Sequence, residues 1–376
     1  MQSIDVDKLL RDLGDGWGMP SSHHIDPDVF KYEMAAIFNR SWLFFAPVHH
    51  LCKKGDTKTG WAGDVPVLVT RDQTGKLHGF VNMCRHRGYA VATKDKNCRN
   101  LVCQYHAWTY NLDGSLRNAP NTDDDAGFDK SELSLLPISV DEFGPGIFVN
   151  ADPGAKPLRE SHPRLQSYAE SMEFRTDPGF YLDNYELVRT VHYDFESNWK
   201  LWYDNNTECY HCPTIHAGSF ASAFSTNQDS MRFSEVDQFM TFSFDPMGEE
   251  HVKGELKAKW QRALQIFPAI GITMQDDILL VYQALPTGPE TTKKTMYCLV
   301  RKEGDKELAS RWIDLWHQTF SEDQLATQIQ QTGIRSGRLP RPRYVRSQEG
   351  PVLFVNRLIL NAYRGAGTPA PAGYTT

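Results

Sequence analysis

The pattern of hydrophobic and polar positions near the N-terminus predicts a helix. Asp26 followed by Pro27 is typical of a helix start, because the carboxylate accepts bonds from free backbone amides and proline suits the first turn. The apolar residues that follow recur at helical spacing, at Val29, Phe30 and Ile37. One side of this helix is therefore expected to be apolar and to pack against the rest of the chain.

Short apolar runs separated by turns replace the helical pattern beyond residue 45. Such runs are typical of β-strands, and turn signals between them, such as Asp113-Gly114, join antiparallel strands. The runs span residues 65–70, 79–83, 101–105 and 146–149. This part of the chain, residues 45–155, is therefore predicted to form a small all-β domain.

A linker with Pro and Gly at residues 152–157 precedes a region of mixed pattern. An alternating run at 233–244 and two further strand-like runs at 278–285 and 295–300 predict an antiparallel sheet, and the apolar residues between 308 and 316 mark an amphipathic helix. The predicted fold class is α+β in three parts: a helical segment at residues 1–44 that packs on the last domain, the all-β domain at residues 45–155, and a domain at residues 156–376 with a large antiparallel sheet flanked by helices.

Composition narrows the possible classes of function. The 376 residues include 40 basic and 47 acidic side chains, and the net charge of −7 argues against nucleic-acid binding, which needs a concentrated basic face. No apolar run approaches 18 residues and no leader pattern opens the chain, so we expect a cytoplasmic protein without membrane contact. Seven cysteines in a chain of this length do not form a disulfide framework, which makes them candidate ligands.

Two Cys–His pairs inside the predicted all-β domain form the first candidate metal site. Cys84 precedes His86 by two residues, Cys103 precedes His106 by three, and sixteen residues separate the two pairs. Thiolates bind iron strongly, and neutral imidazoles in place of two thiolates raise the potential of an iron–sulfur cluster to about −150 to +300 mV. A Cys2His2 zinc site is the alternative, although such sites usually pair cysteine with cysteine and histidine with histidine.

A second group of ligand-type residues lies in the last predicted domain. Asp204, Glu208 and His211 are spaced to share one face of a helix, and Pro213 is expected to end that helix soon after His211. His216 would then reach the same metal from a non-helical segment. Two imidazoles and one carboxylate on one side of Fe(II) leave coordination positions open for O2 and substrate.

The first group resembles the [2Fe–2S] motif of the Rieske non-heme iron oxygenases, the ring-hydroxylating type of oxygenase α subunit. The family's second arm reads C-P-Y-H-G-W, so Gln104 and Ala107 stand here where the family has proline and glycine. The resemblance implies one iron bound by Cys84 and Cys103 and the other by His86 and His106. It also implies a Rieske domain joined to an α/β catalytic domain.

The segment from Asn198-Trp199-Lys200 to His216 resembles the catalytic-iron motif of the same family, N-W-K…(D/E)-x-x-H-x4-H. The resemblance implies a mononuclear Fe(II) bound by His211, His216 and an acidic residue of a late helix. Asp323 is that residue, and Glu322 is the alternative. The same acidic run also suits the first turn of a helix, in which case it binds no metal.

Glu208 matches the carboxylate that links the two metal centres of this family. The resemblance implies subunits arranged so that the cluster of one faces the iron of the next, with Glu208 between His211 and the neighbour's His106. Most of the family has aspartate there, and glutamate is typical of a smaller set that includes enzymes oxidising carnitine and glycine betaine. Asp204 is the alternative bridge.

The resemblance implies a terminal oxygenase component that consumes O2. The chain has no G-x-G-x-x-G fingerprint for a nucleotide cofactor, so electrons from NAD(P)H are expected through a separate flavin and iron–sulfur reductase or a ferredoxin. The family also implies a homotrimer, with or without a small β subunit.

Three functions are consistent with the sequence. The first is hydroxylation of an aromatic compound, by mono- or dioxygenation, as in aromatic hydrocarbon catabolism. The second is hydroxylation of an N-methyl group of a quaternary ammonium or other N-methylated substrate, which leads to demethylation. The third is a Rieske electron-transfer protein without oxygenase activity. The side chains expected to line a substrate pocket are Trp202, Tyr203, Phe220 and Phe224.

Overall fold

The computed structural model describes residues 4–226, 231–244, 256 and 260–366. Two compact units form within the chain. The first, called the β unit, consists of Phe38–Gln166 and Phe174–Asp183. The second, called the mixed unit, consists of Met1–Ile37, Ser167–Glu173 and Asn184–Thr376.

The described residues form both strands and helices. The strands are β1 (Leu43–Pro47), β2 (Asp56–Ala62), β3 (Val65–Arg71), β4 (Leu77–Val81), β5 (Lys96–Asn97), β6 (Asn100–Val102), β7 (Thr109–Asn111), β8 (Leu116–Asn118), β9 (Pro137–Phe143), β10 (Gly146–Asn150), β11 (Tyr185–Phe195), β12 (Met231–Val236), β13 (Phe239–Phe244), β14 (Gln261–Ile266), β15 (Ile270–Gln275), β16 (Ile278–Gly288) and β17 (Thr291–Arg301). The helices are α1 (Val6–Gly14), α2 (Pro27–Glu33), α3 (Leu158–Ser161), α4 (Leu165–Ser171), α5 (Pro178–Asn184), α6 (Trp199–Asn206), α7 (Cys212–Ile215), α8 (Phe220–Ala223), α9 (Lys306–Arg335) and α10 (Gly350–Ala366).

The β unit contains two antiparallel sheets. One has seven strands in the order β1-β10-β9-β4-β3-β2-β5, and the other has three in the order β6-β7-β8. The run predicted as a strand at residues 101–105 is shorter in the structure, because Cys103 begins a turn in which its carbonyl accepts from the Ala107 amide at 3.0 Å. A buried cluster that includes Leu68, Phe80, Trp108 and Tyr110 packs around Cys84 and Cys103.

The mixed unit is built on one seven-stranded antiparallel sheet, in the order β11-β17-β16-β15-β14-β13-β12. All of β15 and the first seven residues of β16 are buried, as expected for central strands covered on both faces. This sheet with its helices, together with the two sheets of the β unit, confirms the predicted α+β class. None of the helices within the described ranges combines the length and the apolar character that crossing a membrane requires.

Two helix boundaries bear on the sequence predictions. Asp26 caps α2 as predicted, because its Oδ1 accepts from the Asp28 amide at 2.7 Å and Pro27 opens the helix. α9 begins much earlier than the acidic run at residues 321–323, since its cap is Asp305, whose Oδ1 accepts from two amides of the first turn at 3.1 and 3.0 Å. The acidic run lies in the middle of a 30-residue helix, so the helix-start alternative for it is wrong.

Candidate metal centres and active site

Two loops of the β unit bring together the four side chains predicted to bind a cluster. Cys84 follows β4 and Cys103 follows β6, and both thiols are buried in the core of the unit. His86 and His106 are exposed, and their rings lie edge to face with centroids 4.6 Å apart. The sulfur atoms therefore lie on the interior side of this site and the imidazoles on the surface side.

The donor set of these loops fits a Rieske-type cluster. Both cysteines are free of disulfide bonds, and burial raises the pKa of the Cys103 thiol, so that a thiolate there requires a nearby cation. Tyr110 Oη lies 3.3 Å from Cys84 Sγ and accepts from the Arg85 amide at 3.0 Å, which leaves its proton free to bond the sulfur. Hydrogen bonds to the ligand sulfurs are one means by which proteins tune cluster potentials.

The two loops share a backbone design. The Gly88 amide donates to the Cys84 carbonyl at 2.9 Å, and the Ala107 amide donates to the Cys103 carbonyl at 3.0 Å. Gly88 has a φ of 77° and Ala107 a φ of 58°. Ala107 therefore takes the left-handed conformation for which glycine is suited, at the position where the family motif has glycine.

Replacing Ala107 by glycine is expected to stabilise the β unit by about 1 kcal/mol, because the left-handed conformation no longer strains a Cβ. The measurement is the urea concentration at which the visible absorbance of the cluster is lost. Gly88→Ala is the matched control and is expected to shift that midpoint the opposite way. A Cβ at residue 88 would meet nothing closer than Met83 Sδ at 3.7 Å, so the control tests backbone conformation alone. A lower midpoint for Ala107→Gly would contradict this account.

The Asn198-Trp199-Lys200 motif anchors the first turn of α6. Asn198 Oδ1 accepts from the Lys200 amide at 2.9 Å and caps the helix. Trp199 Nε1 donates to Glu33 Oε2 at 2.8 Å, and Lys200 Nζ donates to Glu33 Oε1 at 2.6 Å. The ion pair is fully buried, and loss of either partner would leave an uncompensated charge. The motif therefore fixes α6 against α2.

The predicted helix through His211 is wrong, because α6 ends at Asn206. The Thr207 hydroxyl donates to two carbonyls of the last turn, at 2.9 and 3.1 Å, and competes with a further helical turn. His211 caps the next short helix, α7, which has Pro213 in its first turn. Proline thus lies in the first turn of a helix here, where its missing amide proton costs nothing.

Three potential ligand atoms lie together in the mixed unit, as the sequence predicted. His211 Nε2 and His216 Nε2 are 3.1 Å apart, and Asp323 Oδ1 lies 3.4 Å from the first and 3.0 Å from the second. Three ligands on one face of an octahedron, each about 2.1 Å from the metal, are about 3.0 Å from one another. The triangle therefore fits one metal ion bound by two histidines and a carboxylate.

Two further carboxylates bond the outer nitrogens of these imidazoles. Glu208 Oε1 lies 2.5 Å from His211 Nδ1, and Glu322 Oε2 lies 2.7 Å from His216 Nδ1. The Ser219 hydroxyl also donates to Glu322 Oε2, at 2.5 Å. A proton on each Nδ1, shared with its carboxylate, leaves both Nε2 atoms free for a metal. Glu322 is therefore placed to support His216, and Asp323 is the better candidate for the metal ligand.

The charges around the triangle favour a cation. Burial alone would lower the pKa of His211, but hydrogen bonds and charges of Asp323 and Glu208 raise it to about 10. Burial would also lower the pKa of His216, but Asp323 and Glu322 raise it. Burial alone would raise the pKa of Asp323, whereas the two imidazoles lower it to about 2. A divalent metal would take the place of the protons that this set of groups holds.

Cys209 and Cys212 are bonded to each other as a disulfide in the segment that connects Glu208 to α7. The Cys212 sulfur lies within 4.8 Å of potential ligand atoms of His211 and His216. Its bond to Cys209 makes it a poor metal ligand. Asp323 is therefore the better candidate for the third ligand.

Asp204, the alternative bridge, contacts neither imidazole in the described structure. Its carboxylate accepts from Tyr344 Oη at 2.7 Å and from Asn356 Nδ2 at 2.8 Å. Removal of this group from water raises its pKa to about 7, against the effect of the two hydrogen bonds. The contacts of Glu208 with His211 match the bridging position better.

Stability is expected to depend on pH through Asp204. Its pKa rises from 3.8 to about 7 on folding, so between these values the folded state binds more protons than the unfolded state, and the free energy of unfolding falls as pH increases. Asp204→Asn should remove this slope, because asparagine has no proton to lose. Urea unfolding at pH 5 and pH 8 would measure it. Parallel pH profiles for wild type and Asp204→Asn would refute the assignment.

A cavity of about 70 Å³ adjoins the three candidate ligands. The amide oxygens of Gln261 and Gln265 are buried at its wall and have no hydrogen-bond partner among the described residues. Lysine and arginine are both missing from the described residues that line it. The cavity therefore offers ring faces and oxygen acceptors. The aromatic side chains that line it are Phe220, Phe242, Phe244, Tyr282, Trp316 and Phe320.

Of the four aromatic residues predicted to line a substrate pocket, Phe220 lines this cavity. The expectation fails there for Trp202, Tyr203 and Phe224, none of which belongs to the lining. Trp202 and Tyr203 are fully buried, and the Phe224 ring stacks on Phe220 with centroids 4.6 Å apart. These three rings lie close to the histidines in sequence, but in the structure they belong to the buried core and not to the cavity lining.

A wider groove of about 600 Å³ reaches Glu208 and His211 from another side. Leu339 and Tyr344 also line it. Glu208 lines both the groove and the small cavity, and its side chain is 11% exposed. The carboxylate that supports His211 is therefore reachable from outside the mixed unit.

Sequence reasoning missed three residues that hold the site in place. Glu33 anchors α6, Ser219 bonds Glu322, and Tyr344 bonds Asp204. Each lies far in sequence from the group it supports or carries no motif of its own. The one signal for any of these three in the sequence was Glu33, an acidic residue next to an apolar stretch.

Two family models match the chain. The model of the Rieske [2Fe-2S] domain matches residues 41–138, and the model of the ring hydroxylating alpha subunit (catalytic domain) matches residues 182–365. The second match argues against the third function considered from the sequence, a Rieske electron-transfer protein without oxygenase activity. The first range contains the two Cys–His loops, and the second contains His211, His216 and Asp323.

Individual proteins resemble the chain over most of its length. The glycine betaine monooxygenase oxygenase subunit of Chromohalobacter salexigens is 27% identical over 93% of this chain and 86% of its own. The carnitine monooxygenase oxygenase subunit of Acinetobacter pittii is 32% identical over 54% of this chain and 53% of its own.

Solved structures share the fold at low identity. The quaternary ammonium Rieske monooxygenase CntA in complex with L-carnitine superimposes with a TM-score of 0.83 at 22% identity, over 96% of this chain and 100% of that chain. Naphthalene 1,2-dioxygenase from Rhodococcus sp. gives 0.80 at 19% identity, over 98% and 100%. With both domains matched, the chain belongs to the Rieske non-heme iron oxygenases, as the oxygenase component that uses a [2Fe–2S] cluster, a mononuclear iron and O2.

Proposed function

We propose that this oxygenase hydroxylates an N-methyl group of a quaternary ammonium or other N-methylated substrate, which then loses formaldehyde. The observation that carries the proposal is the cavity beside the three candidate ligands. Its ring faces attract a cation, its two unpaired amide oxygens attract polarised C–H or N–H groups, and its described lining holds no lysine or arginine to repel one.

The size of the cavity supports the same substrate class. A cavity that takes benzene measures about 150 Å³, and this one measures about 70 Å³. A single N-methyl group fits this volume, whereas a fused ring system does not. The relatives named for glycine betaine and carnitine agree with this proposal, and so does Glu208 in the bridge position. Ring hydroxylation, the first expectation from the sequence, has less support.

We assign the metal ligands as the sequence predicted. Cys84, Cys103, His86 and His106 hold the [2Fe–2S] cluster, and His211, His216 and Asp323 hold the mononuclear iron. Bound by these residues, the cluster would supply single electrons and the iron would activate O2 beside the substrate.

The protein's own groups prepare this site. Glu208 and Glu322 keep a proton on Nδ1 of each imidazole and so orient both rings. Phe320 and Trp316 keep bulk water from the substrate side of the triangle. Gln261 and Gln265 orient the head group through their free amide oxygens, with its methyl toward the ligand triangle.

Electron delivery is proposed to cross between protomers of a homotrimer. Arg87 and His106 are exposed on the β unit, where Arg87 Nη2 donates to His106 Nε2 at 3.0 Å. The groove of the mixed unit presents the Glu208 carboxylate, which complements this cationic surface. Glu208 would then link His211 to the neighbour's His106. A separate reductase or ferredoxin supplies the electrons.

Product analysis tests the proposed function. Enzyme reconstituted with a reductase is incubated under O2 with a panel of trimethylammonium compounds and a matched panel of aromatic acids. Formaldehyde in amounts equal to the demethylated product is the expected result. Phenol or diol formation from the aromatic panel, without formaldehyde from the other, would restore ring hydroxylation.

A further inference from the structure

Two buried glutamines of β14 leave hydrogen-bond acceptors unused at the wall of the small cavity. The amide oxygens of Gln261 and Gln265 have no hydrogen-bond partner among the residues that the structure describes, and both residues are 2% exposed. Both line the cavity beside the candidate ligands. A buried acceptor without a donor is costly, so a ligand that brings a donor to these oxygens gains affinity.

The two amides lie on the same face of β14. Alternate residues of a strand point to one side, and Ala263, which lies between the glutamines in that alternation, also lines the cavity. The short side chain of alanine leaves the space between the two amides open. One ligand in the cavity is therefore within the reach of both glutamines.

The donor side of the Gln265 amide is already used. Its Nε2 atom donates to Tyr282 Oη at 2.8 Å, so the oxygen is the part of this amide that remains for a ligand. The same bond ties the amide to a ring of the cavity lining. A cation attracted to that ring therefore has an acceptor close to it.

Methylated ammonium groups differ in the number of N–H donors that they carry. A quaternary ammonium has none and offers only C–H groups, which form weak bonds to oxygen. A tertiary ammonium has one N–H group and a secondary ammonium has two. Hydrogen bonds from a charged donor are about twice as strong as those from a neutral one. Two unpaired acceptors therefore match the two donors of a secondary ammonium.

We propose that the substrate is a secondary or tertiary methylammonium compound whose N–H groups donate to Gln261 and Gln265, and that quaternary compounds bind more weakly. The inference rests on the proposed function, since it names the substrate class of that site. The cavity volume of about 70 Å³ agrees with it, because each methyl group replaced by hydrogen makes the head group smaller.

Aromatic rings alone would produce the opposite order of affinity. Water binds each N–H group of an ammonium ion, so a cation with more N–H groups loses more hydration when it enters an apolar cavity. Ring faces attract every cation in the same way. Tighter binding of the cations that carry N–H groups would therefore report acceptors at the wall.

The test is isothermal titration calorimetry of the metal-loaded enzyme without O2. The three ligands are cations at neutral pH and differ only in methylation: choline, N,N-dimethylethanolamine and N-methylethanolamine. N-methylethanolamine is expected to bind about tenfold more tightly than choline, with N,N-dimethylethanolamine between them.

Gln261→Leu should reduce this tenfold ratio to about threefold or less, because it removes one acceptor at similar side-chain volume. Gln283→Leu is the matched control. Gln283, on β16, is also buried and its amide has no partner among the described residues, but it does not belong to the described lining of the cavity. This control should leave the ratio unchanged.

Equal binding of the three cations by the wild type, tightest binding of choline, or no binding of any of them would overturn the proposal. So would an unchanged ratio in Gln261→Leu, or an equal fall in Gln283→Leu. Gln261→Met gives a second variant without the acceptor if the leucine variant does not fold. Failure of the proposed function appears separately, as no formaldehyde from any of the three compounds once reductase and O2 are added, whatever the order of their affinities.

Discussion

Asp323→Ala is expected to leave the [2Fe–2S] cluster intact, to release the mononuclear iron and to abolish substrate-dependent O2 consumption. The physical reason is that Asp323 supplies the one anionic corner of the ligand triangle, 3.0 and 3.4 Å from the two Nε2 atoms. Its loss should weaken iron binding by more than the roughly 10- to 100-fold that is typical when a residue supporting a ligand is removed. Iron per chain, cluster absorbance and O2 uptake measure the three parts of this prediction.

Glu322→Gln is the matched control for that variant, since it changes the adjacent acidic residue. Glu322 bonds His216 through Nδ1, so its loss should weaken iron binding by about 10- to 100-fold without removing a ligand. Excess iron should restore activity to this variant and should fail to restore Asp323→Ala. The reverse ranking would make Glu322 the ligand and Asp323 the support.

Glu208→Gln is expected to keep both metal centres and to slow electron transfer from the cluster to the iron by at least about 10- to 100-fold. The amide keeps the size of the side chain, but it has no charge to bond His211 Nδ1 and to attract the Arg87 and His106 surface of a neighbouring protomer. Single-turnover oxidation of the pre-reduced enzyme, followed through the cluster absorbance, measures the rate directly.

Asp204→Asn separates the two candidate bridges. Asp204 bonds Tyr344 and Asn356 and not His211, so this variant should transfer electrons at close to the wild-type rate while its stability profile with pH changes. If Asp204→Asn slows the transfer and Glu208→Gln does not, the bridge is Asp204. Normal electron transfer in both variants would show that neither carboxylate links the two metal centres.

Much of the fold was predictable because local signals agreed with the tertiary structure. Asp26 and Pro27 marked the start of α2, and short strand-like runs marked β16 and β17. The prediction of the helix through His211 failed because a side chain competes with the backbone for hydrogen bonds. Thr207 ended α6 before His211, and a helical spacing pattern contains no information about such a competing hydrogen bond.

The candidate ligands were predictable because metal chemistry restricts residue type and spacing. His211, His216 and Asp323 meet in the structure as the sequence suggested. Much of the cavity wall was not predictable, since it is formed by strands that lie far along the chain. Gln261 and Tyr282 carry no motif, and only the pairing of β14 with β15 and of β15 with β16 brings them to one cavity.

Anomalous diffraction at the iron edge, from crystals grown without chelators, tests the central claim most directly. The account predicts two peaks per chain: an unresolved iron pair between the Cys84, His86, Cys103 and His106 side chains, and a single iron about 2.1 Å from His211 Nε2, His216 Nε2 and Asp323 Oδ1. The pair of one protomer should face the single iron of its neighbour across Glu208. A zinc signal at the first position, or no metal within reach of Asp323 in iron-replete crystals, would contradict it.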